Sequence, residues 1–140
     1  MLTIRAFQDR DEAIVIELWK ACELTRPWNN PALDIERKRH VQPELFLVGE
    51  VNGVVVASAM GGYDGHRGWV NYLAVHPSQR GKDFGRAIMR ELERLLLEMG
   101  CPKINLQVRT DNEVAINFYK AIGYKMDEVL SMGNRLIPDN

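Results

Sequence analysis

Cysteine is scarce in this chain, and neither sign of charge dominates it. Only Cys22 and Cys101 occur among 140 residues, in no CxxC pair, so neither a disulfide framework nor a zinc site is expected. No grouping of His, Cys and carboxylate residues indicates any other metal site. The net charge of -1 arises from 18 basic and 19 acidic residues that alternate along the chain, which argues against nucleic acid as a partner.

Long apolar runs are absent as well. The N-terminal segment carries charges at Arg5 and Asp9, so it lacks the apolar core of a signal peptide, and no later run approaches membrane-spanning length. We therefore expect a cytoplasmic protein with no membrane partner. With 46% hydrophobic and 26% charged residues, the composition is that of one globular domain over residues 1–140.

Capping and turn signals divide the first half of the chain into short elements. A strand is expected over Leu2–Phe7, and Asp9 with Glu12 resembles a capping box that opens the first helix. Asn30 as cap and Pro31 at the first helical position predict a second helix to about His40. The Asn-Gly pair at 52–53 then favours a type I′ turn, so "LFLVGEV" and "VVVASAMGG" should form a β-hairpin.

The second half continues this alternation. A strand is expected over Gly68–Val75, and apolar residues spaced by three and four predict a helix from Phe84 that ends at Gly100. "KINLQVR" is the next strand, Asp111 or Asn112 caps a last helix, and "YKMDEVLSMGNRLI" supplies one or two final strands. The order β-α-α-β-β-β-α-β-α-β predicts an α/β protein with a mixed sheet and helices on its faces.

The bend "RGKDFGRA" before the third helix has the features of an anion site. The first backbone N–H groups of a helix lack intrahelical partners, and the helix dipole adds positive potential there. Gly81 and Gly85 would let a ligand approach the main chain, while Arg80 and Lys82 add positive charge. Alternatively, Gly81 only makes the turn and Gly85 only allows helix–sheet contact.

Two segments resemble the signatures of the GNAT (GCN-five-related) N-acetyltransferases. "YLAVHPSQRGKDFGRA" is similar to the acyl-CoA motif of that family, and "VRTDNEVAINFYKAIGYK" is similar to its second motif. The segments "RPWN...DI.RK" and "GGYDGHRG" further resemble short bacterial members of the YpeA type. The resemblance extends over essentially the whole chain and implies the GNAT acyl-CoA N-acyltransferase fold.

The resemblance also implies roles for individual residues. The strand that contains Leu73–Val75 would splay from the strand at Lys103–Arg109 and leave a slot for the pantetheine arm, and main-chain amides of the bend would bind the pyrophosphate. Asn112 would hold the pantetheine, and Tyr119 would protonate the departing thiolate as general acid. The implied cofactor-binding residues are Leu73, Ala74, Val75, Arg80, Gly81, Lys82, Asp83, Phe84, Gly85, Arg86, Asn112 and Tyr119.

Two positions depart from the family pattern. Asp83 stands where the phosphate loop has its central glycine, which brings a carboxylate next to an anionic ligand and predicts weakened binding of CoA. Gln107 stands where the ribosomal-protein acetyltransferases of the family have a catalytic glutamate. An amide cannot accept the proton, so the general base is left unassigned.

Candidates for the acceptor side are Glu23, Arg26, Trp28, Asp64, His66 and Tyr72. Five of them have a specific structural alternative: Asp64 and His66 could serve only the turn, Trp28 could fill the core, Arg26 could pair with a surface carboxylate, and Tyr72 could face the core. Asp34 and Lys38 are interpreted as an ordinary i,i+4 surface pair.

The sequence thus predicts an acetyl-CoA-dependent N-acetyltransferase that transfers the acetyl group directly to an amine. The alternative is a catalytically degenerate domain of the same fold, which binds CoA as a sensor or binds another protein. Acetyl-CoA is expected as co-substrate, without a metal. The acceptor is an unidentified small molecule or peptide, and a homodimer is the assembly that the resemblance suggests.

Overall fold

Five strands and four helices follow the predicted order as far as the last helix. The computed structural model describes residues 1–138. The strands are β1 (Thr3–Ala6), β2 (Phe46–Val51), β3 (Val54–Tyr63), β4 (Gly68–Val75) and β5 (Ile104–Leu106). The helices are α1 (Glu12–Ala21), α2 (Pro31–Lys38), α3 (Phe84–Glu98) and α4 (Glu113–Ala121).

The strands form one mixed sheet in the order β1-β2-β3-β4-β5. The first four are antiparallel neighbours, and β5 joins β4 in parallel. Asn52 and Gly53 both have positive φ, at 50° and 80°, so the predicted hairpin between β2 and β3 is confirmed. The mixed sheet and the element order up to α4 are confirmed with it.

Each face of the sheet has its own hydrophobic core. Alternate residues of a strand point to opposite faces, so Leu47 joins one core and its neighbours Phe46 and Val48 join the other. The first core packs against α3 and the end of α4 through Ile88, Met89, Leu92, Leu96 and Ile122. The second packs against α1 and α2 through Val15, Leu18, Trp19 and Ile35.

Strand β4 leaves β5 after three residues. Gly68–Val70 pairs with Ile104–Leu106, and within residues 1–138 no strand pairs with the rest of β4 on that side. At the same place the register with β3 shifts. Ser58 pairs with Ala74 and Met60 pairs with Asn71, so one residue of β3 lies opposite two residues of β4, Tyr72 and Leu73. Tyr72 adopts a φ of 55°, so this bulge turns the strand. The splayed strand pair that the resemblance implied is therefore present.

The predicted strands after α4 are wrong for the described residues. Gly123 ends α4 with a φ of 105°, and no strand follows in residues 124–138. This segment borders β5 through side chains, since Asp127 contacts Lys103 and Asn105. Apolar residues at 124, 126, 130 and 132 would share one face of an extended chain, but no strand of the described residues pairs with this segment, and the following are at least 76% exposed: Met126, Val129, Leu130 and Met132.

Two boundaries also differ from the sequence prediction. Strand β5 covers three residues instead of the seven of "KINLQVR". The capping box is formed by Gln8 and Asp11, not by Asp9 and Glu12, because a short 3-10 turn over Asp9–Asp11 precedes α1. Within residues 1–138, no helix has both the length and the apolar composition to cross a membrane.

A buried ion pair ties the start of α1 to the sheet. Asp11 is 4% exposed and accepts hydrogen bonds from Arg5 Nη1 at 2.8 Å, Arg5 Nη2 at 3.0 Å and the Gln8 backbone N–H at 2.8 Å. Arg5 also contacts Glu50 across the β1–β2 pair at 3.1 Å. Hydrogen bonding to Arg5 holds the pKa of Asp11 below its usual value.

We expect Asp11→Asn to lower the free energy of unfolding by about 2–3 kcal/mol, because it leaves Arg5 with one carboxylate partner instead of two. A depressed folded-state pKa stabilises the fold above the unfolded pKa and loses that effect as pH falls. The difference between wild type and variant in urea denaturation should therefore shrink below about pH 4. Asp9→Asn is the control, because Asp9 lies in the same turn and forms an exposed ion pair with Arg39. This substitution should lower the free energy of unfolding by less than about 1 kcal/mol. Equal losses in the two variants would contradict this role of Asp11.

Candidate active site

A cleft of about 1690 Å³ opens where β4 and β5 separate. One side is formed by Val70–Val75 of β4, and the other by residues 107–109, which follow β5. The first turn of α3 and one face of α4 border one part of the cleft, and residues of α2 and the α1–α2 connection border the other. The sheet gap therefore joins both helical layers in one cavity.

The bend before α3 presents an open helix N-terminus to this cleft. Gly81 has a φ of 81°, and a Cβ added there would meet no atom within 4 Å, so main chain is accessible from outside. Asp83 precedes the helix in the left-handed conformation, with φ 62° and ψ 21°, and its side chain forms no cap hydrogen bond. The first N–H groups of α3 are thus without a side-chain cap and remain available to an anion.

The other residues of the bend serve different roles. Arg80 Nε donates to the Val75 carbonyl at 3.3 Å, which ties the bend to the end of β4. Lys82 Nζ donates to Gln79 Oε1 at 2.9 Å, and Lys82 is not among the described residues that line the cleft. A Cβ at Gly85 would lie 3.1 Å from the Phe118 ring. Gly85 therefore permits close packing of α3 on α4, whereas the alternative held that it allows helix–sheet contact, and the nearest sheet atom, of Val75, is 3.7 Å away. Gly85 also lines the cleft.

Helix α4 brings Asn112 and Tyr119 to the same cavity. Asn112 caps the helix, with Oδ1 accepting from the Ala115 N–H at 3.1 Å, so its NH2 group is the part that could donate to a ligand. The Tyr119 ring packs edge-on against Phe118 and Tyr124 at centroid distances of 5.2 and 5.7 Å. Burial raises the pKa of Tyr119 to about 12, so its hydroxyl is protonated at neutral pH.

Tyr72 lies at the junction of the gap and the α1–α2 side. Its ring stacks on Trp19 at a centroid distance of 3.8 Å, and its hydroxyl donates to Asp34 Oδ2 at 2.6 Å. Glu23 and Arg26 line the same part of the cleft, where Arg26 Nη1 donates to the Glu23 carbonyl at 3.2 Å. Three of the acceptor-side candidates are thus brought together.

The interpretation of Asp34 and Lys38 as a surface ion pair is wrong. Asp34 contacts Tyr72 and lies 3.7 Å from Arg37. Lys38 faces the sheet instead, is 8% exposed, and donates from Nζ to the Gly61 carbonyl. Desolvation lowers the pKa of Lys38. The 3.6-residue period of α2 turns Lys38 inward on the same face as Ile35, which the i,i+4 spacing to Asp34 does not reveal.

Three acceptor-side candidates lie elsewhere. Asp64 and His66 are in the β3–β4 turn, where Asp64 Oδ1 accepts from the backbone N–H groups of His66 and Arg67 at 2.8 and 2.7 Å. These backbone donors hold the pKa of Asp64 below its usual value. Trp28 is 61% exposed, so it neither fills the core nor lines the cleft.

The sequence reasoning also missed residues that line the cleft. Arg37 on α2 lies in the "RPWN...DI.RK" segment, but no role was predicted for it, and Asn71 on β4 and Arg135 in the C-terminal segment belong to no motif. Only the tertiary arrangement places these three residues at the cleft. Among residues 1–138, no cluster of three His, Cys, Asp or Glu side chains could hold a metal ion.

Comparisons of the sequence with known proteins identify its family. The model of the Acetyltransferase (GNAT) family matches residues 12–124. An acetyltransferase of Sodalis glossinidius is 53% identical over 139 residues, which cover 99% of this chain and 98% of that protein. Its amino-acid sequence and this one therefore align almost from end to end.

Solved structures show the same architecture. Ard1 from Thermoplasma volcanium superimposes with a TM-score of 0.79 at 32% identity, over 90% of this chain and 84% of that one. A predicted acetyltransferase of Clostridium acetobutylicum, solved with acetyl-CoA, has a TM-score of 0.74 at 16% identity, over 95% of this chain and 96% of that one. The chain described here belongs to the GNAT acetyltransferase family.

Proposed function

We propose that this acetyltransferase uses acetyl-CoA and transfers the acetyl group directly to an amine. One observation carries the proposal: the edge of β4 at Leu73–Val75, with which β5 does not pair, lies beside the open N-terminus of α3, in the cleft that Tyr119 also lines. A neighbour of the same fold was solved with acetyl-CoA, which supports this choice of ligand. The proposal includes a single catalytic domain over residues 1–140 and a cytoplasmic location.

The residues around the cleft suit the parts of acetyl-CoA. The N–H groups from Gly81 to Arg86 would bind the pyrophosphate at the helix N-terminus, with Arg80 adding positive charge. The edge of β4 at Leu73–Val75 would hydrogen-bond the pantetheine arm and the thioester carbonyl, since this edge has no strand partner. Asn112 would donate to the pantetheine from its NH2 group.

Tyr119 is the proposed general acid. As the acceptor nitrogen bonds to the acetyl carbon, the carbon–sulfur bond breaks and the Tyr119 hydroxyl donates its proton to the leaving sulfur. The nitrogen releases one proton to solvent as the amide forms, and the phenolate regains a proton from solvent. Because burial raises the pKa of Tyr119, the hydroxyl holds its proton until the thiolate forms.

The amine must lose a proton before it attacks, since an alkylammonium has a pKa of about 10.4. Four of the acceptor-side candidates could act as the base: Glu23 and Tyr72 line the cleft, whereas Asp64 and His66 lie in the β3–β4 turn. Tyr72 donates to Asp34, so a proton passed to this pair would reach a carboxylate at the edge of the cleft. We assign the base to this side without choosing between Glu23 and Tyr72.

Asp83 favours a second candidate function, a CoA sensor or protein-binding domain without turnover. Its carboxylate stands at the helix N-terminus that the pyrophosphate would occupy. The two functions differ in a simple measurement: thermal shift with acetyl-CoA, followed by thiol release with a panel of amines. Stabilisation without thiol release would favour the sensor, and no stabilisation would favour the protein-binding domain.

We expect Asp83→Asn to tighten acetyl-CoA binding about three- to tenfold, because it removes a negative charge beside a diphosphate. Asp83→Gly should tighten it further only if the Cβ also obstructs the ligand, so the pair of variants separates charge from sterics. Isothermal titration calorimetry at low salt measures both affinities. Unchanged or weaker binding in both variants would show that Asp83 does not oppose the ligand.

We expect Tyr119→Phe to lower turnover about 100-fold or more while acetyl-CoA affinity changes less than about threefold, because only the acid is removed. Tyr124→Phe is the matched control. Tyr124 donates to Glu93 Oε2 at 2.7 Å outside the cleft, so its loss should cost about 1 kcal/mol of stability and leave turnover within about twofold. Turnover is measured by thiol release and affinity by calorimetry. Full turnover in Tyr119→Phe would assign the acid elsewhere.

A further inference from the structure

The charged side chains that line the cleft are mostly basic. Seven basic and four acidic residues line it, although the whole chain has a net charge of -1. An uneven distribution of this kind concentrates positive potential in a concave site, where it selects ligands by charge. The cleft therefore differs in charge from the rest of the molecule.

The charges fall into two groups. Arg80, Arg86 and Arg109, with Asp83 and Asp111, lie around the α3 and α4 N-termini, at the end proposed for the CoA phosphates. The remaining group lies on the α2 side. It contains four basic residues and two acidic ones: Arg26, Arg37, Lys38, Arg135, Glu23 and Asp34. The phosphates of CoA therefore do not account for the positive charge of the acceptor end.

Two basic residues of this second group, Arg26 and Lys38, donate hydrogen bonds to neutral carbonyl groups. Asp34 accepts from the Tyr72 hydroxyl at 2.6 Å, and Arg37 Nη1 lies 3.7 Å from its other oxygen. Lys38 donates to the Gly61 carbonyl, a neutral partner. Arg26 likewise donates to a neutral acceptor, the Glu23 carbonyl. Their positive charges are therefore not neutralised by these bonds.

Arg37 and Arg135 come together although 98 positions of sequence numbering separate them. Both line the cleft, and both also line an adjoining pocket of about 570 Å³ between α2 and residues 133–137. Arg135 Nη1 donates to the Ile137 carbonyl at 3.1 Å, which holds its guanidinium at this segment. Two guanidinium groups at one opening suit a carboxylate, which they bind with paired N–H donors.

On the basis of the proposed function, we propose that the acceptor is a small primary amine that carries a carboxylate, of the amino-acid class. Arg37 and Arg135 bind the carboxylate, and the amine is directed past Tyr72 toward the gap between β4 and β5. Polyamines and aminoglycosides, which carry several ammonium groups and no carboxylate, are disfavoured by the same charges.

The test compares amines that differ by one carboxylate. L-lysine is paired with 1,5-diaminopentane, and L-phenylalanine with 2-phenylethylamine, in a thiol-release assay with acetyl-CoA. We expect kcat/KM to be at least about tenfold higher for the carboxylate-bearing member of each pair. A difference of this size corresponds to the free energy of one charged hydrogen bond, which the decarboxylated amine cannot form. A peptide with an N-terminal glutamate is the third arm, and we expect it to be poorer than the free amino acids.

A binding measurement accompanies the kinetics. The protein saturated with CoA is titrated with glutarate or with 1,5-diaminopentane, which have the same carbon number and opposite charge, and its thermal shift is recorded. We expect stabilisation by glutarate and none by the diamine. Arg37→Gln should abolish the difference in thermal shift between glutarate and the diamine. It should also reduce the kinetic preference for the carboxylate-bearing amine about tenfold, by raising the KM of that amine, while the stabilisation by CoA alone is unchanged.

Arg94→Gln is the matched control. Arg94 forms the same i,i+3 type of ion pair, with Glu91 on α3, and is outside the lining of the cleft, so its loss should leave the carboxylate preference intact. The proposal is overturned by equal or better use of the decarboxylated amines, by preference for the acidic peptide, or by acetyl-CoA binding without use of any amine. Absence of any acetyl-CoA stabilisation would instead refute the proposed function itself.

Discussion

The cleft depends on the left-handed backbone of Tyr72. A non-glycine residue in this conformation costs about 1–2 kcal/mol, so the surrounding structure must hold it. The Tyr72 carbonyl accepts from Ser58 Oγ at 2.9 Å, and Ser58 Oγ in turn accepts from Trp19 Nε1 at 2.9 Å. Trp19, which is fully buried, also stacks on the Tyr72 ring. Helix α1 therefore fixes the bulge that separates β4 from β5, and the separation of the strands is a consequence of packing on the opposite face of the sheet.

The same gap explains why the two helical layers meet at one site. A continuous sheet would separate α3 and α4 from α1 and α2, and side chains of the two layers could not line one cavity. Because pairing between β4 and β5 stops at Val70, Tyr119 of α4 and Asp34 of α2 border the same space. The proposed chemistry divides accordingly: the layer of α3 and α4 holds the phosphates and the acid, and the layer of α1 and α2 faces the acceptor.

Local signals in the sequence predicted the order of helices and strands up to α4, whereas the arrangement of side chains around the cleft depends on tertiary contacts. Asn30 and Asn112 cap α2 and α4 as expected, since capping depends only on residues within one turn. The left-handed conformation of Tyr72 has no local signal, because tyrosine has no preference for it and Trp19 and Ser58 impose it from distant positions. The hydrogen bond between Tyr72 and Asp34 joins residues 38 positions apart, so local sequence patterns could not predict it either. The apolar residues after α4 have the spacing of a strand, but a strand also needs a partner, and in the described residues this segment pairs with none and leaves its apolar side chains exposed.

The charge distribution follows from the division of the cleft. Both ends of the cavity are positive, yet they draw on different elements: backbone N–H groups and arginines at the α3 end, and guanidinium groups of α2 and the C-terminal segment at the other. Helix-end amides are fixed by the fold, so the α3 end can vary little between proteins that share it. Arg37 and Arg135 are side chains at the surface of the fold, where substitutions leave the core intact. Acceptor specificity can therefore change at these positions without disturbing the bulge at Tyr72, and the acceptor must be determined from their charges and not from the fold.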